Sequence, residues 1–469
     1  MSLMQEERWI VQNMLGEAHP KIRVRYRLES ALTDELVNTV RGDLTGVTPV
    51  PVGIAPAFTS SGKLTAIAIA TCVEVLVVQF HAKAKANDAL VRVGRELLRR
   101  EILCHPDVAI FAFDLHDLAT SLFHDHRLYL TNGVDIQSAR PGGDRDRLSF
   151  VKFAVGDRVR VEEENVEDFL ATGRSWEPSN KCTNWMACQA WMAVYLARIS
   201  DMEAHFDKVP RVNTENMGDA SLTMISQTHY NDRRLAGKKP TSVVNEFDSA
   251  MMHKKKAQVK ASRFQSRFRK DEQIAMTVKD AHSGAEYTLR GRTADVSGRS
   301  ASIKAETMLD DKTITAFTTV GAGRPTNLES QKGASILHAL QGRVKLSDNP
   351  FIRYIWHPSA DFTWPEAWPT SSDTPITSQR PLNDSQLAAV EHMLTMSDDH
   401  RITMIQGPPG TGKTTVIAAY VMSAIASGLG GIWLIAQSNV AVKNIAEKLA
   451  DVGFLNWKLL VSRDFHEDW

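Results

Sequence analysis

Arg401-Ile-Thr-Met-Ile-Gln-Gly-Pro-Pro-Gly-Thr-Gly-Lys-Thr-Thr415 is the stretch on which the reading of this chain turns. Gly407, Gly412, Lys413 and Thr414 in it keep the spacing Gly, four residues, Gly-Lys-Thr, a pattern that cradles phosphates. Glycine lets the backbone wrap tightly and aim its N–H groups at a polyphosphate, where a side chain would clash. Gly407, Pro408, Pro409, Gly410, Thr411, Gly412, Lys413, Thr414 and Thr415 are therefore the candidate nucleotide-binding loop. Lys413 is placed to reach the β- and γ-phosphates, and the Thr414 hydroxyl to ligate Mg²⁺, so ATP and Mg²⁺ are the expected cofactors. Ile402, Met404 and Ile405 predict a short buried strand before the loop. Thr415 to Ile425 predicts a helix after it, with its N-terminus toward the phosphates.

Working outward, Leu382-Asn-Asp-Ser-Gln386 opens a helix, and Gln386 precedes Gly407 by 21 positions. Its amide can donate to and accept from the edges of adenine. Gly431-Ile-Trp-Leu-Ile-Ala436 predicts the next parallel strand. Ser438 and Asn439 follow at a helix N-terminus, where they can bond the phosphates of a nucleic-acid strand.

Together these pieces resemble superfamily 1 RNA/DNA helicases, close to the type that drives nonsense-mediated mRNA decay. Leu382 to Gln386 looks like the Q motif, Gly407 to Thr414 like motif I, and Ser438-Asn-Val-Ala-Val442 like motif Ia. Gln437 stands where Pro is usual and Lys443 where Asp is common. The resemblance implies an ATP-dependent motor on nucleic acid, with a small β-barrel and stalk helices near its first RecA-like domain. No apolar strand ending in Asp-Glu-Ala occurs in the 55 residues after Thr414. The expectation is a truncated P-loop (RecA-like) parallel α/β domain over residues 378–469 that holds ATP without hydrolysing it by itself.

Residues 1–205 predict a mixed-sheet α/β domain. A helix is expected around Glu6 to Leu15. Apolar strands are expected at 52–58, 64–70, 73–80 and 108–113, the last ending in Asp114, then a helix from Leu115 to Phe123. Over residues 45–205 this order resembles the RNase D type of 3′–5′ exonuclease, which has the RNase H-like fold. That family holds two metal ions on four acids. The corresponding positions here are Ala55, Ala57, Asp114 and Gln189. One acid of four cannot hold two divalent ions, so a degenerate exonuclease fold used for binding or scaffolding is expected; an unrelated α/β domain is the alternative. His124-Asp-His126 reads as a solvated loop, and Glu162-Glu-Glu164 as a loop or helix start.

Residues 206–262 read as a linker and a basic helix. Lys254, Lys255, Lys256, Lys260, Arg263, Arg267, Arg269 and Lys270 fall together without an acid among them. They are candidates for phosphate-backbone contacts. Phe264 and Phe268 are expected to pack inward. Residues 263–357 suggest a small β-barrel with a stalk, closed by a strand at Phe351 to Trp356. Residues 358–377 are a Pro/Ser/Thr-rich connector, with Trp356, Trp364 and Trp368 as packing anchors. The fold class expected for the whole is multidomain α/β.

Lys+Arg and Asp+Glu both total 55, so any nucleic-acid binding must come from a local patch. The four cysteines lack zinc-ligand spacing, which points to a reducing compartment. The acidic start has no apolar signal core, and no run of 18 apolar residues occurs. No membrane partner is expected, and the location is cytoplasmic or nuclear. Two functions fit these motifs. One is an ATP-binding, helicase-family protein acting on single-stranded nucleic acid, RNA favoured over DNA. The other is a non-catalytic single-strand-binding adaptor. A different P-loop ATPase of the AAA+ kind shares the loop but not Gln386 or Ser438-Asn439.

Overall fold

The computed structural model describes residues 6–16, 19–41, 49–81, 88–238, 242–262, 268, 272–320, 327–356, 362–364, 375–395, 397–436, 438–461 and 465. The chain divides into two compact units, Met1–Pro240 with Arg324–Ala360, and Thr241–Gly323 with Asp361–Trp469.

The first unit is built on a mixed seven-stranded sheet in the order β1-β2-β5-β4-β3-β6-β7. Its strands are β1 (Glu7–Ile10), β2 (Ile22–Leu28), β3 (Val50–Phe58), β4 (Leu64–Ala70), β5 (Glu74–Gln79), β6 (Val108–Ala112) and β7 (Gly133–Asp135). β3, β4 and β5 pair antiparallel, whereas β6 and β7 add in parallel beside β3. That order, with helices on both faces, is the mixed-sheet α/β arrangement expected from the sequence. The helices are α1 (Asp34–Arg41), α2 (Ala89–Leu98), α3 (Leu115–His126), α4 (Arg147–Val155), α5 (Glu163–Phe169), α6 (Asn180–Ala197), α7 (Glu203–Phe206), α8 (Asp219–Gly237), α9 (Asn327–Leu340) and α10 (Pro350–Trp356).

Period-2 alternation along β3 assigns the two faces. Val52 and Ile54 join one core with residues of α2 and α3, while Ala55 and Ala57 join the other with α6. The α6 side is very close: a Cβ at Gly53 would lie 2.0 Å from the Ala190 carbonyl. Glycine is the residue this approach permits.

Three expectations are corrected in this unit. Residues 7–10 form a strand rather than a helix, because Glu7–Ile10 pairs with Arg25–Ile22 and Arg8 bonds to Asn184 and Asn180 on α6. His124, Asp125 and His126 end α3 and are not a solvated loop. His126 is buried, stacks on Phe80 at 3.9 Å and meets the Leu64 carbonyl at 3.0 Å, while Asp125 accepts from the Leu64 N–H. Phe351 to Trp356 is a helix rather than a barrel strand. Asn349 accepts from the Phe351 and Ile352 N–H groups, and Pro350 takes the first helical position, where its missing N–H has no consequence. Glu163 starts α5, in line with the helix-start reading.

The second unit contains an antiparallel sheet in the order β8-β14-β11-β12-β13-β10-β9. The strands are β8 (Ser242–Asn245), β9 (Phe247–His253), β10 (Lys256–Ala261), β11 (Gln273–Asp280), β12 (Glu286–Ser297), β13 (Ser300–Ala305) and β14 (Lys312–Val320). No ladder joins β8 to β9 among the described residues, so the sheet is a half-barrel rather than a closed barrel. One face carries the core, including Val259, Ile274, Met276, Ile303 and Phe317. Phe268 is buried in it, edge-on to Phe317, as its inward reading required.

The described part of the basic run, Lys254 to Lys260, is not helical. Lys256 to Ala261 alternates, with Ala257, Val259 and Ala261 buried and Lys256, Gln258 and Lys260 exposed. Lys254 and Lys255 form the two-residue turn between β9 and β10, with Lys254 at φ +52°. Arg263, Phe264, Arg267, Arg269 and Lys270 lie outside the described residues.

The rest of this unit is helical: α11 (Asp384–Leu394), α12 (Lys413–Ala426) and α13 (Asn439–Asp451). The parallel strands expected at 402–405 and 431–436 form no ladder among the described residues. Met404 is 90% and Ile435 86% exposed, whereas Ile432 and Leu434 are partly buried against Ala418, Val421 and Leu449. Trp364 is packed, with Phe362 at 5.1 Å and the Arg401 guanidinium 4.8 Å above its ring. Trp356 is 42% exposed, and Trp368 lies outside the described residues. No helix is long and apolar enough to cross a membrane among the described residues.

Candidate functional site

The loop from Gly407 to Gly412 ends on α12, whose first residue is Lys413. Gly410 and Gly412 sit at φ +83° and +82°, in the left-handed region that glycine adopts without strain. No side chain caps the α12 N-terminus. Its leading N–H groups and the positive end of the helix dipole are thus left for an anion. Lys413 Nζ donates to the Gly407 and Pro408 carbonyls at 2.6 and 2.8 Å, which folds the ammonium over the loop. Thr411 Oγ1 donates to the Pro408 carbonyl at 2.8 Å and holds the loop closed from within.

These residues fit a nucleotide polyphosphate. A Cβ at Gly407 would come 2.7 Å from Thr411 Oγ1, and one at Gly412 would come 2.6 Å from Gln386 Nε2. The backbone therefore approaches its neighbours as closely as the phosphate-cradling reading requires.

Gln386 is in place but differently employed. Its Oε1 accepts from the Asn383 N–H at 3.1 Å, completing a capping box in which Asn383 accepts from the Gln386 N–H at 2.9 Å. Its Nε2 donates to the Thr411 carbonyl at 3.0 Å. The amide thus ties the start of α11 to the phosphate loop. Asn383 was not singled out from sequence; its place three residues before Gln386 was the available signal. Ser438 is the N-cap of α13 and accepts from the Ala441 N–H at 3.2 Å, with Asn439 the first helical residue. Lys443 pairs with Glu447 one turn on. Gln437 lies outside the described residues.

On the sheet of this unit, Lys256 of β10 stands opposite Lys304 of β13, which stands opposite Arg292 of β12. Directly opposed side chains are about 5 Å apart, and like charges at that distance repel. The sequence run revealed Lys256 but not its cross-strand neighbours, because register is invisible without the fold.

The nuclease-like face of the first unit holds different chemistry. Ala55 and Ala57 are 3% and 0% exposed and pack beneath α6. Asp114 pairs with Arg145 at 3.1 Å and Arg147 at 2.9 Å. Fully buried Asp135 pairs with Arg145 at 2.8 Å and accepts from Ser138 and the Leu115 N–H. Burial pushes the Asp135 carboxyl up, but Arg145 and Ser138 outweigh it and hold it below the usual carboxylate range. Gln189 donates to the Phe169 carbonyl at 2.8 Å. Two guanidinium groups and a closed apolar face occupy the place of a two-ion centre, and the donor set does not fit one. Arg145 and Arg147 escaped the sequence reading because the loop before α4 and the first residue of α4 meet Asp114 only in the fold.

The cysteines are free thiols, and burial pushes Cys104 and Cys188 up to about 12. They are packing residues rather than nucleophiles.

A family described as an AAA domain matches residues 381–461. Similar curated proteins are regulator of nonsense transcripts 1 from Caenorhabditis elegans, 42% identical over 15% of this chain and 6% of its own length, and ATP-dependent helicase NAM7 from Saccharomyces cerevisiae, 32% identical over 30% of this chain and 14% of its own. The chain thus spans only a small part of these relatives. Among solved structures, RNase D from Trypanosoma brucei with GMP is 14% identical over 45% of this chain and 65% of its own, at a TM-score of 0.28. Brucella melitensis NrnC bound to pGG is 11% identical over 47% of this chain and 93% of its own, at a TM-score of 0.25. Likenesses this loose add nothing to the strand order described above. The C-terminal part of the chain, residues 381–461, is an AAA-domain region of the superfamily 1 helicase kind.

Proposed function

We propose that residues 378–469 bind ATP with Mg²⁺ as the nucleotide-holding part of a helicase-type protein that acts on single-stranded nucleic acid, RNA in preference to DNA. The observation that carries this reading is the uncapped N-terminus of α12 behind a loop with two glycines at positive φ. The backbone of Gly407 to Gly412 and the Lys413 ammonium would hold the phosphates, and Thr414 would ligate Mg²⁺ with Thr415 beside it. Bound there, Mg²⁺ neutralises phosphate charge. Gln386 would position the loop and meet adenine by exchanging one of its present bonds. Ser438 and Asn439 would take the phosphates of the nucleic-acid strand. The names of its relatives, which concern nonsense transcripts and helicase action, support RNA.

The opposed Lys256, Lys304 and Arg292 favour a second reading, a strand-binding adaptor whose grip does not need ATP. Phosphates laid along such a row would relieve its repulsion. Lys254, Lys255 and Lys260 would add to it, with Arg263 and Arg267. Fluorescence anisotropy with single-stranded RNA and DNA across a salt series tests both readings. The motor reading expects RNA affinity that ATP modulates and that Lys413→Ala uncouples. The adaptor reading expects a log–log salt slope shallower by about 2 in Lys256→Ala/Lys304→Ala, with Lys413→Ala unchanged. Salt-independent binding would remove both.

A further inference from the structure

His116 and Asp117, in the first turn of α3, meet His229 on α8. Their ligating atoms all lie within 4.8 Å of one another. We infer that these three side chains form a binding site for a divalent first-row transition ion, zinc by preference, that fastens α8 to α3.

Two imidazoles and a carboxylate are a donor set for zinc, which takes ligands at about 2.0–2.2 Å in a tetrahedron and leaves its fourth position to water. Such a centre needs ligand atoms about 3.3 Å apart. His229 Nε2 and Asp117 Oδ1 are 2.5 Å apart, so they need only open slightly, and His116 needs to swing inward.

His116 supplies an independent sign of a missing partner. It is 8% exposed, and its Nδ1 has no hydrogen-bond partner among the described residues. A buried imidazole nitrogen left so is disfavoured unless something else satisfies it. The Nε2 edge of the same ring is covered by α9, where a Cβ at Gly333 would come 3.0 Å from Nε2. Nδ1 is therefore the nitrogen left for an ion, and its ring centroid is 5.1 Å from that of His229.

An outer shell is present as well. Arg233 Nη1 donates to the Asp117 carbonyl at 3.3 Å and to Ser121 Oγ, and lies 3.9 Å from Asp117 Oδ1. Its guanidinium carbon sits 4.4 Å above the Phe58 ring. Arg233 is thus held where it can orient the carboxylate from outside, as partners of ligating carboxylates do. Of the four positions that correspond to nuclease acids, Ala55, Ala57 and Gln189 belong to the α6 face, whereas Asp114 adjoins the trio and its carbonyl accepts from the Asp117 N–H at 2.8 Å.

Titrating the full chain with Co²⁺ and reading its visible d–d bands tests the inference. One equivalent should give bands of a four-coordinate nitrogen/oxygen site, and Zn²⁺ should abolish them. His116→Ala and His229→Ala should each raise the Zn²⁺ Kd by at least about 100-fold, more than the loss of an outer-shell partner. His253→Ala, at an exposed position of the other unit, should leave it unchanged. Should a variant fail to fold, X-ray absorption of the Zn²⁺-loaded unmutated chain decides: two imidazoles in the shell support the site, fewer refute it. Absence of a one-equivalent spectrum in the unmutated chain, or an equal spectrum in His116→Ala, overturns the inference.

Discussion

The mixed sheet of the first unit and the phosphate-loop region are held together in opposite ways. Around β3 the sheet is complete: Ala55 and Ala57 are packed under α6, and Asp114 is paired with Arg145 and Arg147. Around Gly407 the loop is formed, but the strands expected on either side of it pair in no ladder among the described residues. Lys413 and two left-handed glycines are set, while Met404 and Ile435 stand exposed. The sheet accommodates alanine at both positions because they are inner-face residues that pack in the α6 core. A phosphate loop keeps its shape with few tertiary contacts, because Lys413, Thr411 and Gln386 bond it locally.

Three perturbations of the nuclease-like side would break this contrast, and the largest is Arg145→Ala. It strands Asp135, whose side chain is fully buried, and removes one partner of Asp114. A loss of about 3–5 kcal/mol in denaturant unfolding is expected; a loss under 1 would show that the arginine does not stand in for the lost ions. Next comes the double change Ala55→Asp/Ala57→Glu, which restores the letters of the nuclease motif. Carboxylates at positions 0–3% exposed should destabilise the unit by about 3 kcal/mol and yield no 3′-end trimming. Metal-dependent trimming by this variant would show that the α6 face opens.

The smallest effect is on pH. Asp135 and Asp117 are held below their ordinary pKa, the second far below it: burial pushes it up, but His229, His116 and Arg233 outweigh that. Depressed carboxylates stabilise the fold fully above the unfolded value of about 4, and that stability is lost as pH falls through the folded values. Burial lowers His116, whose contribution is present above about pH 6.5 and shrinks as pH falls below it. Thermal melting of the unmutated chain should therefore be flat from about pH 7 to 8, decline slightly below 6.5 and drop steeply below 4. It should also fall above about pH 8.5, where the unfolded chain ionises the thiols that burial of Cys104 and Cys188 keeps protonated. A flat profile down to pH 3 would contradict the ion-pair account.

Much of the first unit was legible because its strands and helices carry clean periods. β3 to β6 and α3 read directly from apolar runs. What escaped is set by partners distant in sequence. Glu7–Ile10 has no strand signal of its own and is a strand only because β2 offers it an edge. Along Lys256 to Ala261 the charges drew attention away from a period of two that the small residues Ala257 and Ala261 mark faintly. Asn349-Pro350 announced a helix start that the aromatic and branched residues after it disguised. At the candidate site the glycines and Lys413 were legible because the motif is local. The duties of Gln386 and the trio of His116, Asp117 and His229 were not, because each depends on which helices meet.

Equilibrium dialysis of labelled ATP against the full chain, with Mg²⁺ and with Lys413→Ala beside the unmutated protein, tests the central claim most directly. Saturation at one ATP per chain is predicted, weakened at least about tenfold by Lys413→Ala through loss of a charged contact. No saturable binding, or equal binding by Lys413→Ala, would contradict it.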